Sequence, residues 1–396
     1  MKSVWREAPL EALTEEDSAI TYGVVKPGGE GNVLFVRGGD IADGVVREDG
    51  LRTISVEVSN QYKRTLLRGG ELLISLVGQP GQVAVASTRL VGANIARQVG
   101  LIRLRPEVDP YFISYFLRSP DGVAGLGKFT GGSVQQVINL GDLRMVGVPV
   151  PPSAEQHRIV AILDEAFEGI ATAKANAEKN LQNARELIET FLRTAFETKG
   201  DVVQLSVCAT AISDGDHAPP PKSPSGVPFI TISNIDKETR RIDFGATFSV
   251  AREYFDALKP HRRPKRGDVL YTVTGSFGIP VLVEDDREFC FQRHIGLIRP
   301  KAEIDSRWLM YALLSPQARA QAEAGATGTA QRTVSLSVLR AMTVPKVGVE
   351  EQRRIAARLD ALAEEIGRLK DIVRTKLAAL DELKKSLLHQ AFSGQL

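Results

Sequence analysis

Glu155-Gln156-His157-Arg158-Ile159 and Glu351-Gln352-Arg353-Arg354-Ile355 are two copies of one stretch, 196 residues apart. The spacing persists beyond them. Leu163-Asp164 matches Leu359-Asp360, Ile170 matches Ile366, Leu181 matches Leu377, Leu187 matches Leu383, and Ala195-Phe196 matches Ala391-Phe392 at the same separation. A shift that holds across such a length without a gap marks an internal duplication, which sets the architecture before any single motif is weighed.

The spacing within each copy is helical. In the second, apolar residues fall at Ile355, Leu359, Leu362, Ile366, Leu369, Val373, Leu377, Leu380, Leu383, Leu387 and Ala391. In the first they fall at Ile159, Leu163, Ala166, Ile170, Ala173, Ala177, Leu181, Ala184, Ile188, Phe191 and Ala195. Steps of four and three mostly alternate, as in the seam of a coiled coil. A four-residue stutter interrupts the alternation at the same place in both copies, near Ala177 and Val373. The first seam is richer in Ala, so its small side chains can face the larger ones of the other. Ser153 and Gln156, after Pro152, read as a capping box; the second copy has Val349 in place of the Ser. Two amphipathic helices in separate cores would also show apolar faces. Equal lengths and matched stutters point instead to mutual packing.

Residues 1–150 hold short β-rich runs broken by Gly: 32–37, 70–78, 82–86 and 99–104. Pro110 to Leu117 reads as a short helix, and Thr130-Gly131-Gly132-Ser133-Val134-Gln135 as an exposed loop. Residues 201–346 repeat this order. Phe229 to Ile235 parallels Phe35 to Ile41, Gly267 to Gly275 parallels Gly70 to Gly78, and Gly296-Leu297-Ile298-Arg299 parallels Gly100-Leu101-Ile102-Arg103. Leu339-Arg340 parallels Leu143-Arg144. The plan is globular (1–150), helix (151–200), globular (201–346), helix (347–396): an α+β chain with a pseudo-two-fold repeat. The loops differ. Lys259 to Arg266 is densely basic, and Pro219 to Pro224 is rich in Pro, without counterparts in the first half.

Composition is that of an ordinary globular protein, 43% hydrophobic and 25% charged, with a net charge of only +2. Its 396 residues allow two or three domains. Cys208 and Cys290 form no CxxC or Cys/His cluster, so neither a disulfide framework nor a zinc site is expected. The beginning lacks an apolar signal core and no apolar run approaches a membrane span, so a cytoplasmic location is expected. Enzyme motifs are missing. There is no Asn/Asp-Pro-Pro-Tyr/Phe motif for a flipped base, no Walker loop and no Gly-x-Ser-x-Gly. Gly125-Leu126-Gly127 reads as a helix end and Glu284-Asp285-Asp286 as a hairpin turn.

The repeated Glu-Gln-x-x-Ile openings, the Gly-Asp-Val-Leu strand at 267–270 and the Thr-Gly-Gly-Ser-Val-Gln loop at 130–135 resemble the specificity subunit of a type I restriction-modification system. The resemblance covers the whole chain. One departure is Thr327-Gly328-Thr329-Ala330-Gln331, which lacks the Ser of the first loop. The resemblance implies two target-recognition domains alternating with two helical spacers, and no catalysis in this chain. It implies double-stranded DNA as a partner, two subunits of an adenine methyltransferase, and two restriction subunits that translocate and cut DNA. S-adenosylmethionine, ATP and Mg would then belong to those partners.

Two unlike modules on a rigid spacer suit two short sequences at a fixed gap. A helix of this length spans roughly 66 Å at 1.5 Å per residue, and modules on one face of a duplex sit about 34–36 Å apart. Antiparallel pairing would mirror the inverted symmetry of the two DNA strands. Polar and basic residues in Gly-punctuated loops are the candidate contacts. In the first half they are Arg37, Gln61, Lys63, Arg64, Arg97, Gln98, Ser133 and Gln135. In the second they are Lys222, Asn234, Lys237, Arg262, Arg263, Lys265, Ser276, Arg293, His294, Gln331 and Arg332. A scaffold that binds only proteins, or an orphan subunit, is the competing expectation.

Overall fold

The computed structural model describes residues 5–128, 130–131, 136–197, 200–217, 220–329 and 331–396. Two compact units divide the chain: Met1–Ala177 with Arg374–Leu396, and Glu178–Val373.

In the first unit a four-stranded antiparallel sheet has the order Thr21–Tyr22, Val99–Ile102, Leu72–Ser75, Val83–Val85. Beside it lies a three-stranded sheet, Arg52–Ile54, Val33–Val36 and Asn94–Ile95, whose last pair is parallel. Every residue of Leu72–Ser75 is buried. Leu72 and Ile74 face a core with Phe112 and Phe116, while Leu73 faces another with Ile95 and Leu101. A strand covered on both faces reads as a continuous apolar run, not as an alternation. The helix Pro110–Arg118 is capped by Asp109, whose Oδ1 accepts from the amides of Tyr111 (2.8 Å) and Phe112 (3.3 Å).

The second unit repeats this plan strand for strand. Ala209–Asp214, Ile295–Pro300, Val269–Thr272 and Pro280–Leu282 form the four-stranded sheet, and Phe248–Val250, Val227–Ile230 and Cys290–Phe291 the three-stranded one. Its helix Ser306–Leu314 is capped by Asp305, which accepts from the Trp308 amide at 2.9 Å.

The long helices are Ser153–Ala195 and Val349–Phe392. Their shared opening works differently from a capping box. Gln156 is buried; its Oε1 accepts from the Asp109 amide at 2.8 Å and its Nε2 donates to the Pro151 carbonyl at 2.9 Å. Gln352 does the same with the Asp305 amide (2.8 Å) and the Val347 carbonyl (2.9 Å). The glutamine thus ties the helix start to the cap of the short helix, which explains why Val349 serves as well as Ser153. About two turns further along, Tyr115 is hydrogen-bonded to Asp164, and Tyr311 donates to Asp360 at 2.7 Å. Burial and the facing carboxylate push both phenols up. Each globular half is thereby locked to the helix that follows it.

Ile159, Leu163, Ile170 and Ala177 are buried, as are Leu359, Ile366 and Val373; Leu181, Ile188, Ile355, Leu362, Leu369, Leu377, Leu380 and Leu387 are half-buried. Leu383 departs from the expected seam. It is 46% exposed, and its counterpart Leu187 is 56% exposed. The seam runs through Lys384 instead, since Leu380-Lys384-Leu387-Ala391 keeps the steps of Ala184-Ile188-Phe191-Ala195. Lys384 lays its stem in the seam with its ammonium 5.3 Å from the Phe167 ring centre. Burial lowers its pKa, helped by the nearby guanidinium of Arg118.

Chain direction is readable within each unit. In the first, Arg158 donates to the Leu396 carbonyl (2.9 Å) and Lys174 pairs with Asp381. In the second, Arg358 lies 5.0 Å from the Phe191 ring centre. Ascending numbers on one helix meet descending numbers on the other, so the pairing is antiparallel. The helix ends plug into the globular cores. Phe392 packs edge-on against Phe112 (5.2 Å) and Phe116 (5.4 Å), and Phe196 lies tilted against Trp308 (5.9 Å).

Candidate nucleic-acid interface

The first half carries a cavity of about 390 Å³ whose walls include Val24, Val25, Gly28, Glu30, Arg37, Arg52, Arg97 and Gln98. Three guanidiniums and one carboxylate on these walls make an anion-attracting mouth. Arg37 begins a 3-10 turn, Gly38–Asp40, and is gripped by Asp40, with N–O distances of 2.8 and 3.1 Å. That carboxylate raises the pKa of Arg37. Arg97 and Gln98 lie between the strands Asn94–Ile95 and Val99–Ile102, on a loop held by two backbone bonds. The Arg97 amide donates to the Val24 carbonyl (2.9 Å), and the Gln98 carbonyl accepts from the Leu76 amide (2.7 Å). Arg52 was missed by sequence reasoning. It is the exposed first residue of the strand Arg52–Ile54, ahead of half-buried Thr53 and buried Ile54.

In the second half the candidates fall into two groups. Arg293 and His294 occupy the same backbone site as Arg97 and Gln98: the Arg293 amide donates to the Asp216 carbonyl (3.1 Å), and the His294 carbonyl accepts from the Val273 amide (2.9 Å). Burial and the adjacent Arg293 charge lower the His294 pKa. Arg262 lies by the same strand end, facing Asp214 (3.2 Å) and Asp216 (3.7 Å). The second group is Lys237, Ser276, Gln331 and Arg332. Lys237 donates to Ser276 (3.0 Å), the Gly275 amide donates to the Arg332 carbonyl (3.0 Å), and Arg332 lies over Phe277.

Several expected contacts have internal work. Asn234 is buried; it accepts from the Thr231 amide (2.9 Å) and hydroxyl (2.8 Å) and donates to the Ala246 carbonyl (3.3 Å). It holds a turn and leaves no edge for a base. Arg263 donates to the Leu258 and Asp256 carbonyls and covers Phe255. Of the basic run 261–266, only His261, Lys265 and Arg266 are exposed. Lys222 is exposed over the Phe248 ring, 5.2 Å from its centre, and Gln61, Lys63 and Arg64 are exposed around the helix Val56–Gln61. Ser133 and Gln135 lie outside the described residues. Thr130–Gly131, expected in a loop, is a short strand paired with Val137–Ile138. Nor do Glu284-Asp285-Asp286 make a hairpin turn: they follow the strand Pro280–Leu282 of one sheet and lead to Cys290–Phe291 of another. Glu284 pairs with Arg307 at 2.9 Å. Among the described residues no three His, Cys, Asp or Glu are grouped to hold a metal, and no helix is long and apolar enough to cross a membrane. Both cysteines are buried and free.

The family model for the type I restriction modification DNA specificity domain matches residues 19–182 and again 197–374. The chain belongs to the type I restriction-modification specificity family. Specificity subunits of type I restriction-modification systems are non-catalytic. This specificity subunit is similar to that of the Escherichia coli type I enzyme EcoBI, 31% identical over 197 residues, which is 48% of this chain and 41% of that one. It is similar over greater length to the MjaVIII specificity subunit of Methanocaldococcus jannaschii, 22% identical over 88% of this chain and 84% of the other. The fold is that of the HsdS subunit from Thermoanaerobacter tengcongensis, with a TM-score of 0.62 at 20% identity, covering 100% of this chain and 98% of that one. A chain from a study of the assembly and conformational transition of the type I R-M system gives a TM-score of 0.75, also at 20% identity, covering 100% and 99%.

Proposed function

We propose that this specificity subunit reads a bipartite, asymmetric DNA target and brings an adenine methyltransferase to it. Residues 1–150 and 201–346 serve as the target-recognition domains, and residues 151–200 and 347–396 as spacers. The observation that carries this reading is the contrast within the duplication. The residues that tie sheet, short helix and long helix together recur in both halves, whereas the exposed side chains around the Arg97 and Arg293 loops differ. Two equal scaffolds with unlike surfaces suit two unlike half-sites.

The long helices also offer a repeated pair of outward apolar positions, Leu187 and Leu383. Such a repeat suits two copies of one partner, and we assign the two methyltransferase subunits to it, with two restriction subunits joining the complex. S-adenosylmethionine, ATP and Mg are held by those partners, and the complex acts on cytoplasmic DNA.

The test is single-molecule methylation sequencing of DNA from cells expressing this chain with its cognate methyltransferase. Adenine methylation is expected at one two-part motif with unlike halves, and deletion of this chain is expected to abolish it. A single palindromic motif, or methylation that persists without the chain, would defeat the proposal.

A further inference from the structure

Four arginines of the first half recur as arginines 196 residues later: Arg97 with Arg293, Arg103 with Arg299, Arg144 with Arg340, and Arg158 with Arg354. Three of these pairs have internal partners. Arg103 donates to the Arg64 and Leu66 carbonyls (2.9 and 2.8 Å) and faces Glu71 at 3.5 Å. Arg299 grips Asp268 at 2.9 and 2.7 Å and donates to the Pro260 and Arg263 carbonyls. Arg144 donates to the Ile20 carbonyl (3.1 Å) and Arg340 to that of Ile212 (2.8 Å). Arg158 and Arg354 pair with Glu155 and Glu351 one turn back along their helices.

The fourth pair has no such employment. Among the described residues Arg97 makes no side-chain hydrogen bond or ion pair, and Arg293 reaches only the His294 ring at 3.4 Å. Both side chains are exposed. Yet their backbones are fixed more tightly than an ordinary surface loop requires. Each is held by the amide and carbonyl bonds described above, next to the parallel bridges Val24–Ala96 and Asp216–Gln292. The facing chain passes so close that a Cβ at Gly23 would lie 1.8 Å from the Ile95 carbonyl oxygen. At Gly215 it would lie 1.9 Å from that of Phe291. Only glycine fits at either place. An arginine kept twice, on a rigid mount, with its fork left empty is built to meet something outside the chain.

Resting on the DNA reading above, we infer that Arg97 and Arg293 are the matched base-reading residues of the two halves, each addressing the major-groove edge of a guanine in its own half-site. Two parallel N–H groups match guanine O6 and N7, and such readout needs the fixed register that a pinned backbone supplies. A phosphate can also be met by a point charge, as lysine does, without that precision. The flanks then give the halves different preferences. Beside Arg97 stands exposed Val25, an apolar group suited to a thymine methyl. At the equivalent place beside Arg293 stands exposed His217, a polar ring held by Asp214 at 2.8 Å, in place of the apolar Val25.

The experiment sequences methylated DNA from cells expressing the cognate methyltransferase with the wild-type chain, Arg97→Ala, Arg97→Lys or Arg293→Ala. Arg97→Ala is expected to relax one guanine position in one half-site and leave the other half-site intact. Arg293→Ala is expected to do the converse. Purified complexes are then titrated against four duplexes that differ only at that base pair. The wild type is expected to discriminate roughly ten- to a hundredfold, and the Ala variant to lose the difference. Equal weakening on all four duplexes, or full restoration of binding and motif by Arg97→Lys, would show a phosphate contact and overturn the inference. Unchanged motifs in both Ala variants would overturn it too. Failure of the wild-type chain to direct any two-part motif is a separate result, which counts against the specificity reading itself.

Discussion

The two globular halves agree where they face inward and disagree where they face water. Gln156 and Gln352 make the same pair of buried hydrogen bonds, and Tyr115 and Tyr311 address the same helix aspartate. Outside, Phe35–Arg52 in one strand pair becomes Phe229–Phe248 in the other. The Arg37–Asp40 pair becomes Thr231–Asn234, with the same turn capped by neutral groups. Packing constrains the first set, because a change of one partner leaves a buried polar group unmet. The second set is less tightly bound to one chemistry: a charged pair in one half and a neutral pair in the other cap the same turn, and exposed Arg52 stands where Phe248 is half-buried. Arg97 and Arg293 break the rule: they face outward and are nevertheless alike.

Substitutions can break or sharpen this contrast. The largest effect is expected at the helix ends. Phe196→Ala should cost about 3–5 kcal/mol in urea unfolding, because Phe196 is fully buried. Phe392→Ala should cost less, because that ring is only half-buried. Equal losses would mean that the two helix ends are seated alike. Next, Gln156→Leu and Gln352→Leu should each cost about 1–3 kcal/mol, by orphaning the amides of Asp109 and Asp305. A twofold difference between them would show that the inward scaffold has diverged.

Asn234→Ala should lower stability by about 1–2 kcal/mol through its lost turn, while the methylated motif stays the same. A changed half-site would return Asn234 to the DNA contacts. Leu187→Glu and Leu383→Glu should stay within about 0.5 kcal/mol of the parent, yet weaken co-purification with the methyltransferase. Retained co-purification would place that partner elsewhere.

The smallest effect concerns pH. His294 has a folded pKa below its ordinary value, so the unfolded chain takes up its proton first as the medium is acidified. Its contribution is therefore present at pH 7 and is lost as pH falls through and below about 6.5. His294→Asn should flatten that part of the stability profile, measured as the urea midpoint between pH 7 and pH 5. An unchanged slope would assign the acid loss to other groups.

Much of this was legible beforehand, and the misses have physical causes. The strands around Leu72 and Val269, the short helix after Asp109 and both long helices follow from periodicity and capping, which are local. Leu383 was placed in the seam because it is apolar, but a coiled coil keeps its four-three rhythm even when the seam position is a lysine, whose stem is itself apolar. The capping box failed for a different reason. Gln156 could reach its own helix start, yet the amide of Asp109, distant in sequence, lies nearer in space. Asn234 and Arg263 looked like readers because their side chains can bind bases, and the same donors and acceptors bind backbone just as well.

The sequence by itself determined the duplication, the helix pair and the family, because a constant offset and a repeat period are properties of the order of residues. Only the tertiary structure decided which polar groups are spent and which are free. The carbonyls and carboxylates that absorb Arg103, Arg299, Arg144 and Arg340 come from residues as far away as Ile212 is from Arg340, 128 positions along the chain. Hydrogen-bond capacity is settled by proximity in space, and no spacing in the sequence carries it.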